Sequence, residues 1–233
     1  MKASILSSIP QAKQVEVLSY LVFEGGKLSH GPSSELLVRS DFNGKDGEVL
    51  FVDNLDGYQQ MVFVGIGKQK DFTTLKIQSA VATLLRLATS KNVVNVAVVV
   101  PELSEMQSVG TSCMIGAELG AYQFLKYKTD EKTKKQKKVE QVFFVVTKEE
   151  SQFKKGVELG SVLANGVSLA RDLVNDPASH TNTQTLVDVA LGLAKSSSDI
   201  SVTVLDEAQC RKLGMGSYLS VARGSVVPPK FIV

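Results

Sequence analysis

Cysteine and histidine are scarce in this 233-residue chain, and their scarcity excludes several kinds of protein. Cys113 and Cys210 are the only cysteines, so neither a disulfide framework nor a cysteine-based zinc ribbon can be built. A reducing compartment suits such usage. His30 and His180 are the only histidines and lie far apart, so no helix carries the paired histidines of a His-Glu-x-x-His metal site. No run of eighteen apolar residues is present to form a membrane-spanning helix. The first residues, MKASILSSIPQAKQVEV, have one early lysine and only a short apolar patch, and no signal peptide is read there.

What is present is ordinary globular usage: 43% hydrophobic and 21% charged residues, enough apolar material for a sizeable core. The net charge of +2 conceals an asymmetry. Residues 126–138 (KYKTDEKTKKQKK) hold seven lysines against two acids, while the remainder is mildly acidic. Basic residues confined to one segment are read as a solvated loop in preference to a phosphate-binding face, which would spread its charge over several elements.

Strands and helices alternate through the first half. Val15 to Phe23 reads as a strand closed by Gly25 and Gly26, Glu48 to Val52 as a short strand, and Asp53 to Gly57 as a turn. Met61 to Val64 is an apolar run ending at Gly65 and Gly67. Leu75, Ile77, Val81, Leu84, Leu85 and Ala88 fall at helical spacing within 73–88. Val93 to Val100 has the continuous β-branched character of a strand buried on both faces. A helix over 108–124, rich in Gly110, Gly116, Ala117, Gly120 and Ala121, predicts close packing, and Val142 to Val146 adds another strand. This order predicts an α/β fold with a mainly parallel sheet.

A long helix is expected over 149–173, stopped by Asn175, Asp176 and Pro177. Beyond it come a helix over 183–195 capped by Thr181, Asn182 or Thr183, a strand over 202–205, and a short helix over 207–213 capped by Asp206 and closed by Gly214. A further short helix covers 216–222. Phe231 to Val233 reads as the start of a buried strand without a partner, so the second domain is expected to be cut off near its start.

The residues alone suggest little chemistry. Gly65 and Gly67, between a strand and a helix, could form an anion-binding turn, but Lys70 stands where a third glycine would complete a dinucleotide fingerprint. A tight strand-to-helix turn is the preferred reading. Asp176, Ser179 and His180 crowd into one turn and cannot easily face a common centre, and no Gly-x-Ser-x-Gly elbow accompanies them. Cys113 and Cys210 are read as core residues. Asp172, Asp176, Asp188, Asp199, Asp206 and Glu207 lack the spacing of paired metal ligands.

Several segments nevertheless carry a resemblance. The run Ala164 to Pro177 (ANGVSLARDLVNDP) is similar to the linker helix of the leucyl aminopeptidase (cytosol aminopeptidase) family. Leu213 to Ser225 (LGMGSYLSVARGS) and Pro228 to Ile232 (PPKFI) resemble that family's approach to its catalytic core. Gly116 to Phe124 (GAELGAYQF) and Val64 to Lys68 (VGIGK) fit its N-terminal domain.

The resemblance implies a macro-like N-terminal α/β domain over 1–148, a linker helix over 149–174, and the truncated beginning of a peptidase catalytic domain over 175–233. It implies a cytoplasmic metallo-exopeptidase that removes N-terminal residues from peptides, leucine among the favoured ones. Two divalent ions (manganese, zinc or magnesium) serve that reaction, and the subunits form a homo-hexamer. The family's Gly-Lys-Gly-x-x-Phe-Asp-Ser-Gly-Gly and Asn-Thr-Asp-Ala-Glu-Gly-Arg motifs are absent, so no catalytic or metal residue is carried onto this chain. The 233 residues alone are therefore expected to bind no metal and to be inactive. The alternative is a binding or oligomerisation module for an ADP-ribose-like ligand or, less favoured, nucleic acid, with Gly65, Gly67 and the lysines of 126–138 as contacts.

Overall fold

The structure is a computed structural model and describes residues 1–26 and 41–233, with backbone only at Lys132 and Lys134. His30 lies outside the described residues. Two compact units divide the chain, Met1–Leu169 and Ala170–Val233.

The first unit is built on a six-stranded sheet. Its strands are β1 (Lys2–Leu6), β2 (Val17–Val22), β3 (Val49–Leu55), β4 (Tyr58–Gly65), β5 (Asn95–Val99) and β6 (Gln141–Val145), in the spatial order β1-β6-β5-β2-β4-β3. Every pairing is parallel except the antiparallel β3–β4 hairpin at one edge. The mainly parallel mixed sheet expected from the sequence is present.

Alternation along each strand sends side chains to two cores. Val17 and Leu21 of β2, Val62 and Val64 of β4, Val96 and Val98 of β5, and Val142 and Phe144 of β6 face one side. There they meet α1 (Thr74–Ser90), α2 (Met106–Ala121) and the start of α4 (Glu150–Asn175), through residues such as Ile77, Leu84, Val109, Cys113 and Phe153. Leu18, Tyr20, Val22, Met61, Phe63 and Ala97 face the other side with Val15, Phe42 and Tyr58. With both faces buried, the central strands are mostly apolar, which is why β5 stands out in the sequence; Ser19 of β2, also buried, donates its hydroxyl to the Ala97 carbonyl at 2.8 Å.

The small residues of α2 set the helix spacing. A Cβ at Gly116 would collide with the carbonyl oxygen of Gln78, and one at Gly120 would lie 2.5 Å from that of Ala82. Gly110 and Gly156 play the same part where α2 meets α4, against backbone atoms of Phe153 and Gln107.

Four expectations are corrected. Lys2–Leu6 is an edge strand, not merely an apolar patch, because β6 supplies its parallel partner. The strand expected to stop at Val52 continues to Leu55. The turn is only Asp56-Gly57, both with positive φ (50° and 84°), the geometry that joins two antiparallel strands tightly. The basic segment is not wholly loop: a four-residue helix, α3 (Glu131–Lys134), starts on Asp130, whose carboxylate accepts the Thr133 amide at 2.8 Å.

The fourth correction lies in the second unit. Phe231–Ile232 (β8) does have a partner: it pairs antiparallel with Val204–Leu205 (β7), and Thr203 and Val233 exchange two 2.9 Å backbone bonds. Helices α5 (Thr183–Ser196), α6 (Glu207–Lys212) and α7 (Gly216–Ala222) complete this unit. Asn182 and Asp206 close capping boxes at the starts of α5 and α6, and Gly214 takes φ +71° just beyond α6. Tyr218 packs edge-on against Phe231 at 5.4 Å.

Candidate functional site

Open α/β sheets usually hold ligands at the carboxyl ends of their parallel strands. Gly65 and Gly67 lie there, at the end of β4, but their amides are spent. The Gly65 amide donates to the Glu48 carbonyl at 2.8 Å, Ile66 to Val22 at 2.9 Å and Gly67 to Gly44 at 3.0 Å. The glycines serve close approach: a Cβ on Gly65 would strike the carbonyl oxygen of Lys45, and Gly67 takes φ +74°. The tight-turn reading accounts for both residues without a bound anion. At the same end of the sheet a cleft of about 400 Å³ is lined by Gln69, Phe72, Glu102, Leu103, Ser104, Lys148 and Glu149. Its charges compensate locally, with Lys148 Nζ 2.6 Å from Glu102 and the Thr147 hydroxyl donating to the same carboxylate at 3.0 Å.

The opposite end of the strands carries a polar network. The Glu16 carboxylate accepts the amides of Val94 and Asn95 at 3.4 and 2.7 Å, which fixes β5 beside β2. Lys91 lies 4.5 Å over the Phe51 ring and donates to Gln60 Oε1 at 2.9 Å; Gln60 in turn donates to Asp53. An open cavity of about 460 Å³ beside this network is lined by Lys13, Glu16, Asn54, Tyr58 and Asn95 among others. Tyr58 donates to the Pro10 carbonyl at 2.5 Å. Tyr20, 2% exposed and stacked on Phe63 at 5.4 Å, has no hydrogen-bond partner for its hydroxyl among the described residues. Burial, with smaller contributions from Tyr58 and Asp56, pushes its phenol up to about 12.

The other sequence candidates resolve as structural. Asp176 and His180 sit in the turn after α4, where the His180 amide donates to the Pro177 carbonyl and Thr185 Oγ1 donates to the His180 carbonyl at 2.6 Å. Cys113 is fully buried on α2, and burial drives its thiol far above the usual range. Cys210 is buried in the second unit. Among the described residues, no group of three His, Cys, Asp or Glu side chains could hold a metal ion. The residues here do not fit a two-metal centre, and no catalytic step is assigned to them. In the second unit a cavity of about 430 Å³ is lined by Arg211, Met215, Leu219, Arg223 and Pro228 among others; Arg211 is already paired with Glu207 at 2.7 Å. No sequence signal pointed to these cavities; the linings of the two in the first unit come from separated segments, whereas that of the second unit comes from residues 207–229 alone.

Five parallel strands, one antiparallel edge strand and a second, smaller unit define a two-unit α/β protein. Comparison with known proteins supplies the rest. Residues 22–131 match the N-terminal domain of the cytosol aminopeptidase family, and residues 168–233 match its catalytic domain. The chain belongs to the cytosol aminopeptidase family. It is 32% identical over 215 residues to a probable cytosol aminopeptidase of Alkaliphilus oremlandii, covering 87% of this chain and 42% of that protein. It is 30% identical over 240 residues to one of Roseiflexus castenholzii, covering 100% and 48%.

Solved structures share the fold. A tomato leucine aminopeptidase mutant superposes with a TM-score of 0.81 at 23% identity, over 99% of this chain and 50% of that one. The bottromycin maturation enzyme BotP, in complex with Mn, gives 0.76 at 22% identity, over 94% and 44%. The chain thus spans about half the length of the relatives it matches.

Proposed function

We propose that these residues form the N-terminal domain (1–148), linker helix (149–174) and opening of the catalytic domain (175–233) of a metal-dependent aminopeptidase. It releases N-terminal residues from peptides, leucine favoured. The observation that carries this reading is the succession, in one chain, of matches to the N-terminal and then the catalytic domain of one family. BotP, solved in complex with Mn, supports a divalent-metal enzyme; manganese, zinc or magnesium would serve as the ion. In such enzymes a pair of cations polarises the scissile carbonyl and activates water. The side chains that would hold them belong to motifs this sequence does not contain, so residues 1–233 supply scaffold and subunit contacts. The working protein is a cytoplasmic homo-hexamer.

The test compares residues 1–233 with the same chain extended through the coding sequence that follows Val233. Both are assayed on a leucyl amide with added manganese. The extended chain should hydrolyse the amide and the shorter one should not. An inactive extended chain overturns the assignment, and turnover by the shorter chain overturns the placing of the metal ligands.

A further inference from the structure

The cavity of about 460 Å³ at the amino ends of the parallel strands has no part in the peptidase reading, and its walls are fixed. One wall is the 11–16 loop, where Gln14 accepts the Gln11 amide on its side-chain oxygen at 2.9 Å and donates its own amide to the Gln11 carbonyl at 2.9 Å. The tip of the β3–β4 hairpin makes the second. Gly57 there, at φ +84°, approaches the loop so closely that an added Cβ would lie 3.3 Å from the Ala12 Cβ. The start of β5 makes the third, tied to the loop by the Glu16 amide, which donates to the Asn95 carbonyl at 3.2 Å. Asn54 holds φ +55° inside β3, a strained backbone of the kind that clusters at ligand clamps.

The polar groups around this cavity are unspent. Lys13, Asn54, Gln59 and Asn95 line it, and among the described residues none of these four side chains has a hydrogen-bond or ionic partner. Glu16 holds two backbone amides but no cation, and no ion pair joins it to Lys13, three residues earlier in the same wall. Two opposite charges thus stand apart, with neutral amides beside them. We propose that the cavity binds a free α-amino acid as its zwitterion. The carboxylate faces Lys13, the ammonium faces Glu16, and a polar side chain meets the amides of Asn54, Gln59 and Asn95. The size suits a small molecule, whose sites run from about 300 to 1,000 Å³. A simple anion would meet one lysine and be repelled by Glu16, and a simple cation would meet the converse. A neutral polyol would leave both charges unmatched. A nucleoside would want a ring to stack on, and Tyr58, the sole aromatic residue of the lining, is 8% exposed. Under the peptidase reading such a ligand is of the class the reaction releases, but the site itself stands without that reading.

The test is titration calorimetry of the 233-residue chain with L-glutamine, L-leucine and glutaramate, the last being glutamine without its α-ammonium. L-Glutamine should bind at one site with a Kd on the order of 1 mM or tighter. L-Leucine should bind more weakly, and glutaramate, which presents only negative charge to Glu16, should give no saturable heat. Lys13→Gln should weaken glutamine binding by about fivefold, the loss of an exposed ion pair. Asn54→Ala should weaken it by about fivefold, the loss of one neutral hydrogen bond. Lys148→Gln, at the other end of the sheet, should bind as the parent does. Both cavity side chains are exposed, and circular dichroism shows whether each variant keeps the fold. No saturable heat with L-glutamine, glutaramate or L-leucine binding as tightly as L-glutamine, or parental affinity in the folded Lys13→Gln and Asn54→Ala proteins would each overturn the proposal. So would equal weakening by Lys148→Gln. A failure here leaves the peptidase reading intact, because neither the leucyl-amide assay nor the family match depends on this cavity.

Discussion

Gly120→Ala tests whether backbone-to-backbone contact sets the packing of α1 on α2. A Cβ there would lie 2.5 Å from the Ala82 carbonyl oxygen and 2.6 Å from its Cα. Comfortable non-bonded carbon contacts lie at about 3.5–4.0 Å, so the helices must part by about 1 Å at this point. Helices move as bodies, and Gly116 touches Gln78 one turn earlier. The separation would therefore loosen Ile77, Val81, Leu84 and Leu85, which form the buried face of α1. Over-packing of this kind costs about 1–3 kcal/mol, and two rigid backbones place it at the upper end. Alanine's better helix propensity returns about 1 kcal/mol, leaving a net loss of about 2 kcal/mol.

Gly166→Ala is the matched control. It lies in α4 within the same unit, and its Cβ would meet nothing within 4 Å. It should gain up to about 1 kcal/mol from propensity alone. Urea unfolding followed by far-ultraviolet circular dichroism, with midpoints compared at a common slope, measures both. A Gly120→Ala protein as stable as the parent would refute the close-contact argument, and a destabilised Gly166→Ala protein would refute the assignment of its face as open.

Two further outcomes follow from side chains already described. Tyr20→Phe removes a buried hydroxyl that has no described partner, and should leave stability unchanged or raise it by about 1 kcal/mol. Because Tyr20 holds its proton to about pH 12 in the fold and to about pH 10 when unfolded, its contribution is complete below pH 10 and is lost as pH climbs toward 12. Alkaline melting curves of the phenylalanine protein should be flatter over that interval, and identical curves would show that the phenol is not held neutral. Asp206→Ala breaks the capping box with Gln209 and should cost α6 about 1 kcal/mol, read as faster amide exchange at Gln209; unchanged exchange would contradict the cap's role.

Legibility followed the range of the interactions. β5 was readable because burial on both faces makes every residue of Asn95–Val99 but the first apolar. The α1 helix announced itself by apolar spacing, α2 by its run of small residues, α4 by its amphipathic length, and Asp206 by its place before Glu207. β1 was not readable: five residues of a half-buried edge strand gain their identity from β6, where Lys2 meets Gln141. The partner of Phe231 is likewise distant, at Leu205. The Gly65–Gly67 turn shows the limit most sharply. Glycine reports that something comes close to the backbone, but only the fold reveals that the neighbour is the 44–47 loop. The family was legible from three ordered motifs, whereas the acidic residues offered no paired-ligand spacing from which to read a metal site.

The proposed reading is that residues 1–233 frame a peptidase without holding its metals. Titration calorimetry of residues 1–233 with manganese, run beside a leucyl-amide assay of the same sample, addresses it directly. The expected result is no saturable heat and no release of leucine. A stoichiometric binding isotherm accompanied by turnover would contradict it.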